Sequence, residues 1–238
     1  MEDNNSNVKY LPIKSQTKIL EKSFLNNSNI FEIGVDEAGR GPMFGRVYVS
    51  AVVLPYYENT EFNFSLMKDS KKFHSEKKLE QVAKYIMENA IVYDVQYAEA
   101  EEIDNSNILK VTIETMKKCI MNIIEKLNNT QNIHALIDGN YFKPIMYINN
   151  TGTSQLLTYN LIEGGDNKYC CIAAASILAK YFRDKYILEL CEKYPELDEK
   201  YGLKKNKGYG TVKHIEGIKQ YGISQFHRKT FGICKDYS

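Results

Sequence analysis

Residues 169–182 read YCCIAAASILAKYF, and this stretch limits the folds open to the chain more than any other. It lies in a helical span from about residue 168 to 192 whose faces are apolar nearly all round. A helix without a polar face is expected to be buried on most of its sides. No uninterrupted apolar run reaches the ~18 residues of a membrane span, so no membrane partner is expected and the cover has to be protein.

Candidate covering elements precede the helix. Residues 29–36 (NIFEIGVD) and 47–55 (VYVSAVVLP) read as strands, the second rich in β-branched residues and closed by Pro55. Residues 75–90 begin at Ser75 and place Leu79, Val82, Ala83 and Ile86 at helical spacing. Residues 91–98 return to strand character, and 107–127 space Leu109, Ile113, Met116, Ile120, Ile123 and Ile124 as a helix. A short buried strand then ends at Asp138, followed by a hairpin-like passage around NNTGT and a strand LLTYNLI. The tail holds a glycine-containing loop (NKGYGT), a helix over 212–221 and an aromatic end (QFHRKTF). This order predicts an α/β or α+β layered domain with a mixed sheet and a helical C-terminal portion.

At 43% apolar and 26% charged residues, the chain has the composition of a globular protein with a real core. The N-terminus, MEDNNSNVKY, is acidic and polar and unlike a secretory signal. Cys119, Cys170, Cys171, Cys191 and Cys234 are odd in number and show no CxxC spacing, which points to reduced thiols and a cytoplasmic location. Net charge is only +1, yet residues 200–235 carry nine Lys/Arg against one acid, Glu216. Lys68, Lys71, Lys72, Lys77 and Lys78 form a second basic cluster, while acids gather over 94–104. Basic patches around an acidic centre suit a polyanion held near a metal; solvated helix faces would read the same way.

The acids carry the chemistry. Asp36 and Glu37 close the first strand beside a glycine-rich turn, GVDEAGRGPMFG, at 34–45. Asp138 ends ALID, and Asp166 sits between EGG and the buried helix. Strand ends and a helix start can converge in space, and carboxylates sharing a cleft repel unless cations neutralise them. Hard divalent ions such as Mg²⁺ suit such a site, and a pair of them ~3.5–4 Å apart would serve phosphodiester cleavage. Each acid also has an ordinary reading: Asp36–Glu37 as surface turn acids, Asp138–Gly139 as a turn, Asp166 as a helix N-cap.

The text around the acids narrows these options. GVDEAGRGPMFGRV resembles the N-terminal signature of the ribonuclease HII family of type 2 RNases H. DSKKFHSEKK (69–78), LIDGN (136–140), GGDNKYCCIAAASILAKYFRD (164–184), NKGYGTVKH (206–214) and HRKTF (227–231) are similar to later family elements, in the family's order. The resemblance implies an RNase H-like mixed β-sheet flanked by helices, with a C-terminal helical extension. It divides the chain into a weakly ordered or helical extension at 1–29, a catalytic domain at 30–192 and a basic substrate-binding extension at 193–238. Asp36, Glu37, Asp138 and Asp166 take the catalytic, metal-binding positions, with two Mg²⁺ or Mn²⁺ ions as cofactors. The implied substrates are RNA–DNA hybrids and ribonucleotide-containing duplex DNA, cut by a monomer to leave 3′-hydroxyl and 5′-phosphate ends.

Within that resemblance, Gly39, Arg40 and Gly41 match the element that senses the ribose 2′-hydroxyl, and glycine lets backbone approach the minor groove. Tyr209 matches a tyrosine that packs on the sugar 3′ to the ribonucleotide, and Ser70 and Lys71 match phosphate contacts. Ser176 and Lys180 could face the site, or Lys180 could pair with Asp184. His214 and His227 are expected to be structural or substrate-side, with no ligand spacing. Phe44 and Arg46 replace a small residue and a proline of many members, and are expected to alter substrate grip. The 27 residues between Asp138 and Asp166 exceed the number in many bacterial members. Three alternatives stay open: a related nuclease acting on DNA, a non-catalytic nucleic-acid-binding module, and a phosphate cradle, although the turn lacks a P-loop's GK[ST] ending.

Overall fold

The computed structural model describes residues 19–57, 60–73, 75–130 and 132–237. Five strands form the main sheet: β1 (Phe31–Ala38), β2 (Val47–Val53), β3 (Val92–Ala98), β4 (Ile133–Asp138) and β7 (Thr158–Ile162), ordered β3-β2-β1-β4-β7. β1 pairs antiparallel with β2 and parallel with β4, so the sheet is mixed as expected. The passage before β7 is a hairpin of β5 (Met146–Ile148) and β6 (Ser154–Leu156) around the NNTGT turn.

Helices cover both faces. On one lie α1 (Glu76–Asn89) and the long α4 (Cys170–Lys193); on the other lies α3 (Ile108–Lys126). Ser75 caps α1 by accepting from the Lys78 N–H, and Asn107 caps α3 through the Lys110 N–H. A short α2 (Ala100–Asp104), closed by a Glu99–Glu102 capping box, lies between β3 and α3 and was not expected. The apolar α4 crosses the sheet centre and buries residues on every side along its first half, including Cys170 and Cys171. All five cysteines are free and buried.

Side chains on a strand alternate between faces, and this alternation decides where the acids go. In β1, Ile33 and Val35 enter the α3-side core; in β4, Ile133, Ala135 and Ile137 do the same. Gly34 and Asp36 of β1, and Leu136 and Asp138 of β4, therefore face α4. Gly34 is what lets α4 come so close. A Cβ there would stand 2.1 Å from the Cys171 carbonyl carbon and 2.5 Å from the Ile172 nitrogen, both backbone atoms of the helix.

The C-terminal portion is helical, with α5 (Pro195–Tyr201), α6 (Leu203–Asn206) and α7 (Val212–Tyr221). It shares a core with the second half of α4 and with Met43, Phe44 and Tyr48. Of the extension expected at 1–29, residues 1–18 lie outside the described residues. Residues 19–29 form no helix; Glu21 brackets the start of α4 by donating to Lys168 O and accepting from Cys170 N, at 2.8 and 2.9 Å. Among the described residues no helix is long and apolar enough to cross a membrane.

Gly34→Ala is expected to cost about 3 kcal/mol, because the clash is with helix backbone and no side chain can yield. Urea unfolding should show a lower midpoint at an unchanged slope; a midpoint within experimental error of the parent would contradict the close approach.

Candidate active site

β1 and β4 run parallel, and their register pairs Val35 with Ile137. One step further along, Asp36 and Asp138 stand side by side on the α4 face, at the carboxyl end where open parallel sheets bind ligands. Asp36 is not in a surface turn: it pairs with Ser50 inside β1 and is 5% exposed. Its Oδ1 accepts the Glu37 N–H at 2.7 Å, and Ser176 of α4 supplies a side-chain hydrogen bond. Asp138 Oδ1 accepts the Gly165 N–H at 2.7 Å, which ties β4 to the turn carrying the fourth acid. That turn, Gly165–Asn167, is a 3-10 helix ahead of α4, and the N-cap of α4 is Tyr169; Asp166 is therefore buried against the cleft and does not cap the helix.

The four acids are electrostatically joined. Burial, then the charges of Glu37 and Asp138, push the Asp36 carboxyl well above its ordinary range. Burial also raises Glu37, against the pull of Arg40, whose Nη1 lies 3.1 Å from Glu37 Oε1. Asp166 is raised by burial and then by Asp69 and Asp138, with Lys71 opposing. Burial works against the Lys71 ammonium, yet Asp166, Asp69, Asp36 and Asp138 together raise its pKa. As the side chains stand, no three His, Cys, Asp or Glu among the described residues are close-set enough to ligate one ion. The donor chemistry nevertheless fits a hard divalent cation. All four groups are carboxylates, and in three burial and neighbouring charge raise the pKa and so penalise the charged form, a penalty that a cation would relieve.

The glycine turn forms the adjacent wall of the same cleft, with Ser70, Lys71 and Tyr209 across from it. Its shape is held from beneath by Arg228, which is fully buried. Arg228 donates from Nη2 to Gly39 O at 2.6 Å, from Nη1 to Pro42 O at 2.8 Å and Arg40 O at 3.2 Å, and from Nε to Gly45 O at 2.9 Å. Burial, and then Arg183, lower its pKa to about 9, so it stays charged at neutral pH. Arg183 lies alongside, donating from Nη2 to Lys207 O at 2.8 Å and to Phe44 O at 3.3 Å. Gly39, at φ +97°, has no alternative residue: a Cβ there would stand 2.2 Å from Arg183 Nε. The half-exposed Tyr209 ring stands beside Gly41, 3.6 Å from where a Cβ would project.

All ten residues expected from the sequence sit at or beside this one cleft. Nine of them line it, Arg40 with its guanidinium turned to Glu37, and Asp166 is the exception, buried beside it within reach of Asp138 and Lys71. Ser176 faces the site and shares a 3.0 Å hydrogen bond with Ser70, while Lys180 both lines the cleft and pairs with Asp184 at 2.7 Å. His214 and His227 are buried together, Nε2 to Nε2 at 3.0 Å, and His214 Nδ1 meets Tyr209 O at 3.0 Å. Burial and then His214 depress the His227 pKa to about 3, which keeps it neutral and structural.

The expectation for Phe44 and Arg46 needs correcting. Phe44 is fully buried, edge-on to His227 at 4.9 Å. Arg46 is bound to Glu99 at 2.6 Å and stacked on Tyr97 and Tyr186. Neither borders the cleft. The residues that the sequence reading passed over are Arg183, Arg228 and Asn167. A charge inside the apolar α4 text was an available signal for Arg183, and the arginine of HRKTF for Arg228.

Comparisons with known proteins find chains similar in sequence and in fold. A sequence model of the family described as Ribonuclease HII matches residues 33–234. The ribonuclease HII of Endomicrobium trichonymphae is 39% identical over 216 residues, covering 91% of this chain and 92% of its own length. That of a Nostoc species is 37% identical over 236 residues, 98% of this chain and 96% of its own. Among solved structures, ribonuclease H2 from Pyrococcus horikoshii superposes with TM-score 0.64 at 24% identity, over 87% of this chain and 97% of that one. The RNase HII of Archaeoglobus fulgidus, solved in complex with PCNA, gives 0.62 at 25% identity, over 85% and 96%. Bst-RNase HIII, solved with Mn²⁺, shares the fold at TM-score 0.63 and 17% identity, over 88% and 70%.

Asp138→Asn keeps an oxygen that can accept the Gly165 N–H while removing one charge from the cluster. The metal-free variant should be more stable than the parent at pH 7 by on the order of 1 kcal/mol. The sign of the pH dependence follows from raised carboxyl pKa values. Between the ordinary value and the raised one, the folded state binds more protons than the unfolded state, so stability falls as pH rises through that window. The variant's thermal midpoint, measured in EDTA from pH 4 to 8, should therefore decline less with rising pH than the parent's. A steeper decline would mean that the acids do not repel one another.

Proposed function

The chain belongs to the ribonuclease HII family and is therefore an endonuclease of the type 2 ribonuclease H class acting on RNA–DNA hybrids; we propose that it also incises duplex DNA 5′ to single embedded ribonucleotides. One observation carries the finer reading: the glycine turn, Asp36, Glu37, Asp138 and the Tyr209 ring share a single cleft, with Asp166 electrostatically coupled to Asp138 beside it.

Asp36, Glu37, Asp138 and Asp166 would hold two divalent ions, Mg²⁺ or Mn²⁺. When bound, such a pair activates the attacking water and stabilises the leaving 3′ oxygen. The products then carry 3′-hydroxyl and 5′-phosphate ends. The backbone of Gly39, Arg40 and Gly41 pairs with the ribose 2′-hydroxyl, a group that distinguishes RNA from DNA and that the RNA minor groove displays. Arg228 supports this role, since fixed carbonyls cannot swing to accommodate a sugar that lacks the hydroxyl. Tyr209 packs on the next sugar, where a flat ring accepts deoxyribose and so defines an RNA-to-DNA junction. Ser70 and Lys71 hold phosphate on the facing wall, where the acid cluster keeps the lysine charged. In this reading residues 30–192 carry the chemistry and 193–238 supply Tyr209 and a basic surface for the duplex. The enzyme acts as a monomer in the cytoplasm, a compartment that suits five buried free thiols.

A labelled DNA duplex carrying one ribonucleotide should be cut 5′ to it with Mg²⁺ or Mn²⁺, while an all-DNA duplex stays intact. Asp138→Asn should lose activity by at least about 10³-fold. Tyr209→Ala should lose about tenfold on the single ribonucleotide, as expected for one lost sugar or base contact, and less on a long hybrid. Cleavage of long hybrids alone would remove the junction role of Tyr209. Tight binding without cleavage of either substrate would turn the assignment toward a binding module.

A further inference from the structure

Asn167 follows the fourth acid and occupies a position no catalytic role requires, yet its side chain is saturated. Its Nδ2 donates to Asp166 Oδ1 at 3.1 Å and to Asp69 Oδ2 at 3.2 Å. Its Oδ1 accepts from Lys72 Nζ at 2.5 Å. A carboxamide offers two N–H donors on one nitrogen, so both are directed at carboxylates. Asp69 in turn caps the 3-10 turn Ser70–Lys72, with its Oδ1 accepting the Lys71 N–H at 2.9 Å. The same turn is pinned to α4 by the 3.0 Å contact between Ser70 and Ser176.

These contacts join two segments nearly a hundred residues apart in sequence. Burial and then the charge of Asp69 raise the Asp166 carboxyl, while Asp69 itself, against its burial, is lowered by hydrogen bonds from the Lys71 N–H and Asn167 and by Lys71 and Lys72. Without a donor between them the two carboxylates would separate. With Asn167 in place they share one amide nitrogen, and the lysine behind it offsets their charge. Hydrogen bonds to charged groups are stronger than those between neutral partners, enough to fix a side chain.

We propose that Asn167 is a positioning residue that locks Asp166 to the Ser70–Lys72 turn, so that the phosphate-facing wall and the fourth carboxylate move as one unit. This inference rests on the assignment of Asp166 to the catalytic cluster. Lys72 acts through Asn167 and does not itself grip the substrate, whereas Lys71 faces the cleft.

The test combines Asn167→Leu, similar in size and without donors, with Lys72→Met, a change at an exposed position that leaves the core intact. On a long RNA–DNA hybrid with Mg²⁺, Asn167→Leu should lower kcat about tenfold with KM changed less than twofold. Lys72→Met should give a smaller fall of the same kind, and the double variant should be no worse than Asn167→Leu alone, because the residues form one chain of contacts. A second readout needs no substrate: Mn²⁺ titrated into the metal-free protein should bind several-fold more weakly to Asn167→Leu. In the metal-free parent, the Asn167 side-chain amide protons should shift in ¹⁵N-resolved NMR when Lys72→Met is introduced. Multiplicative losses in the double variant, or a loss confined to KM, would overturn the proposal in favour of separate phosphate contacts. Parent-like kinetics and Mn²⁺ binding in Asn167→Leu would overturn it outright. Asp166→Asn serves as the control: if it stays active, the four-acid assignment has failed, whereas an inactive Asp166→Asn beside a parent-like Asn167→Leu sinks the coupling alone.

Discussion

A single buried guanidinium holds the glycine turn in shape. Four backbone carbonyls between residues 39 and 45 converge on Arg228, and an arginine has five N–H donors in a rigid fork with which to meet them. Taking that charge out of water is costly, and the cost is offset only while every carbonyl stays in place. The arrangement is therefore close to all-or-none. Removal of the arginine would leave several carbonyls buried without partners, each worth roughly 1–3 kcal/mol. The turn's own sequence, rich in glycine, has no stiffness to supply.

The acids depend on a different constraint, the two-residue period of β1 and β4. Gly34 and Asp36 share a face, so the residue that admits the α4 backbone and the residue that faces the cleft are separated by one pleat. Burial that stabilises the sheet therefore desolvates Asp36 directly. Fold stability and carboxylate reactivity are set by the same approach of helix to strand. The parallel pairing of β1 with β4 then brings in Asp138, and the Gly165 N–H brings in the turn that carries Asp166.

Much of this was legible in the sequence because it is written locally. β-branched runs, helical spacing and the caps at Ser75 and Asn107 each specify an element within a dozen residues, and the elements formed close to their expected bounds. α5 and α6, of seven and four residues, are too short to show a period. The cleft was legible as a list of acids and glycines, but the supports beneath it were not. Arg228 meets Gly39 across 189 positions, and Asn167 meets Asp69 across 98, so neither role leaves a mark in neighbouring text. Phe44 and Arg46 misled for the converse reason. Adjacency in sequence suggested adjacency in the cleft, but Phe44 packs into the C-terminal core and Arg46 lies against Glu99 and two tyrosines. Asp166 as an N-cap was a sound local reading that the intervening 3-10 turn displaced by three residues.

The position of Arg228 along the chain has a consequence for biosynthesis. Ribosomes release a protein from its N-terminus, and domains begin to fold as they emerge. Strands β1 to β4 and the acids they carry are complete long before residue 228 of 238 leaves the tunnel. Through that interval the nascent chain has its carboxylates but no clamp under the turn beside them, and Thr230 has not yet reached Asp104 to fasten the tail. A nuclease that works on hybrids is made beside messenger RNA, and this order of assembly withholds a shaped substrate wall until Arg228 has been added. A chain stopped just before residue 228 would have the sheet and its acids but no clamp under the turn. In this chain the acids are made first and the support of the turn beside them is made last of the site's parts.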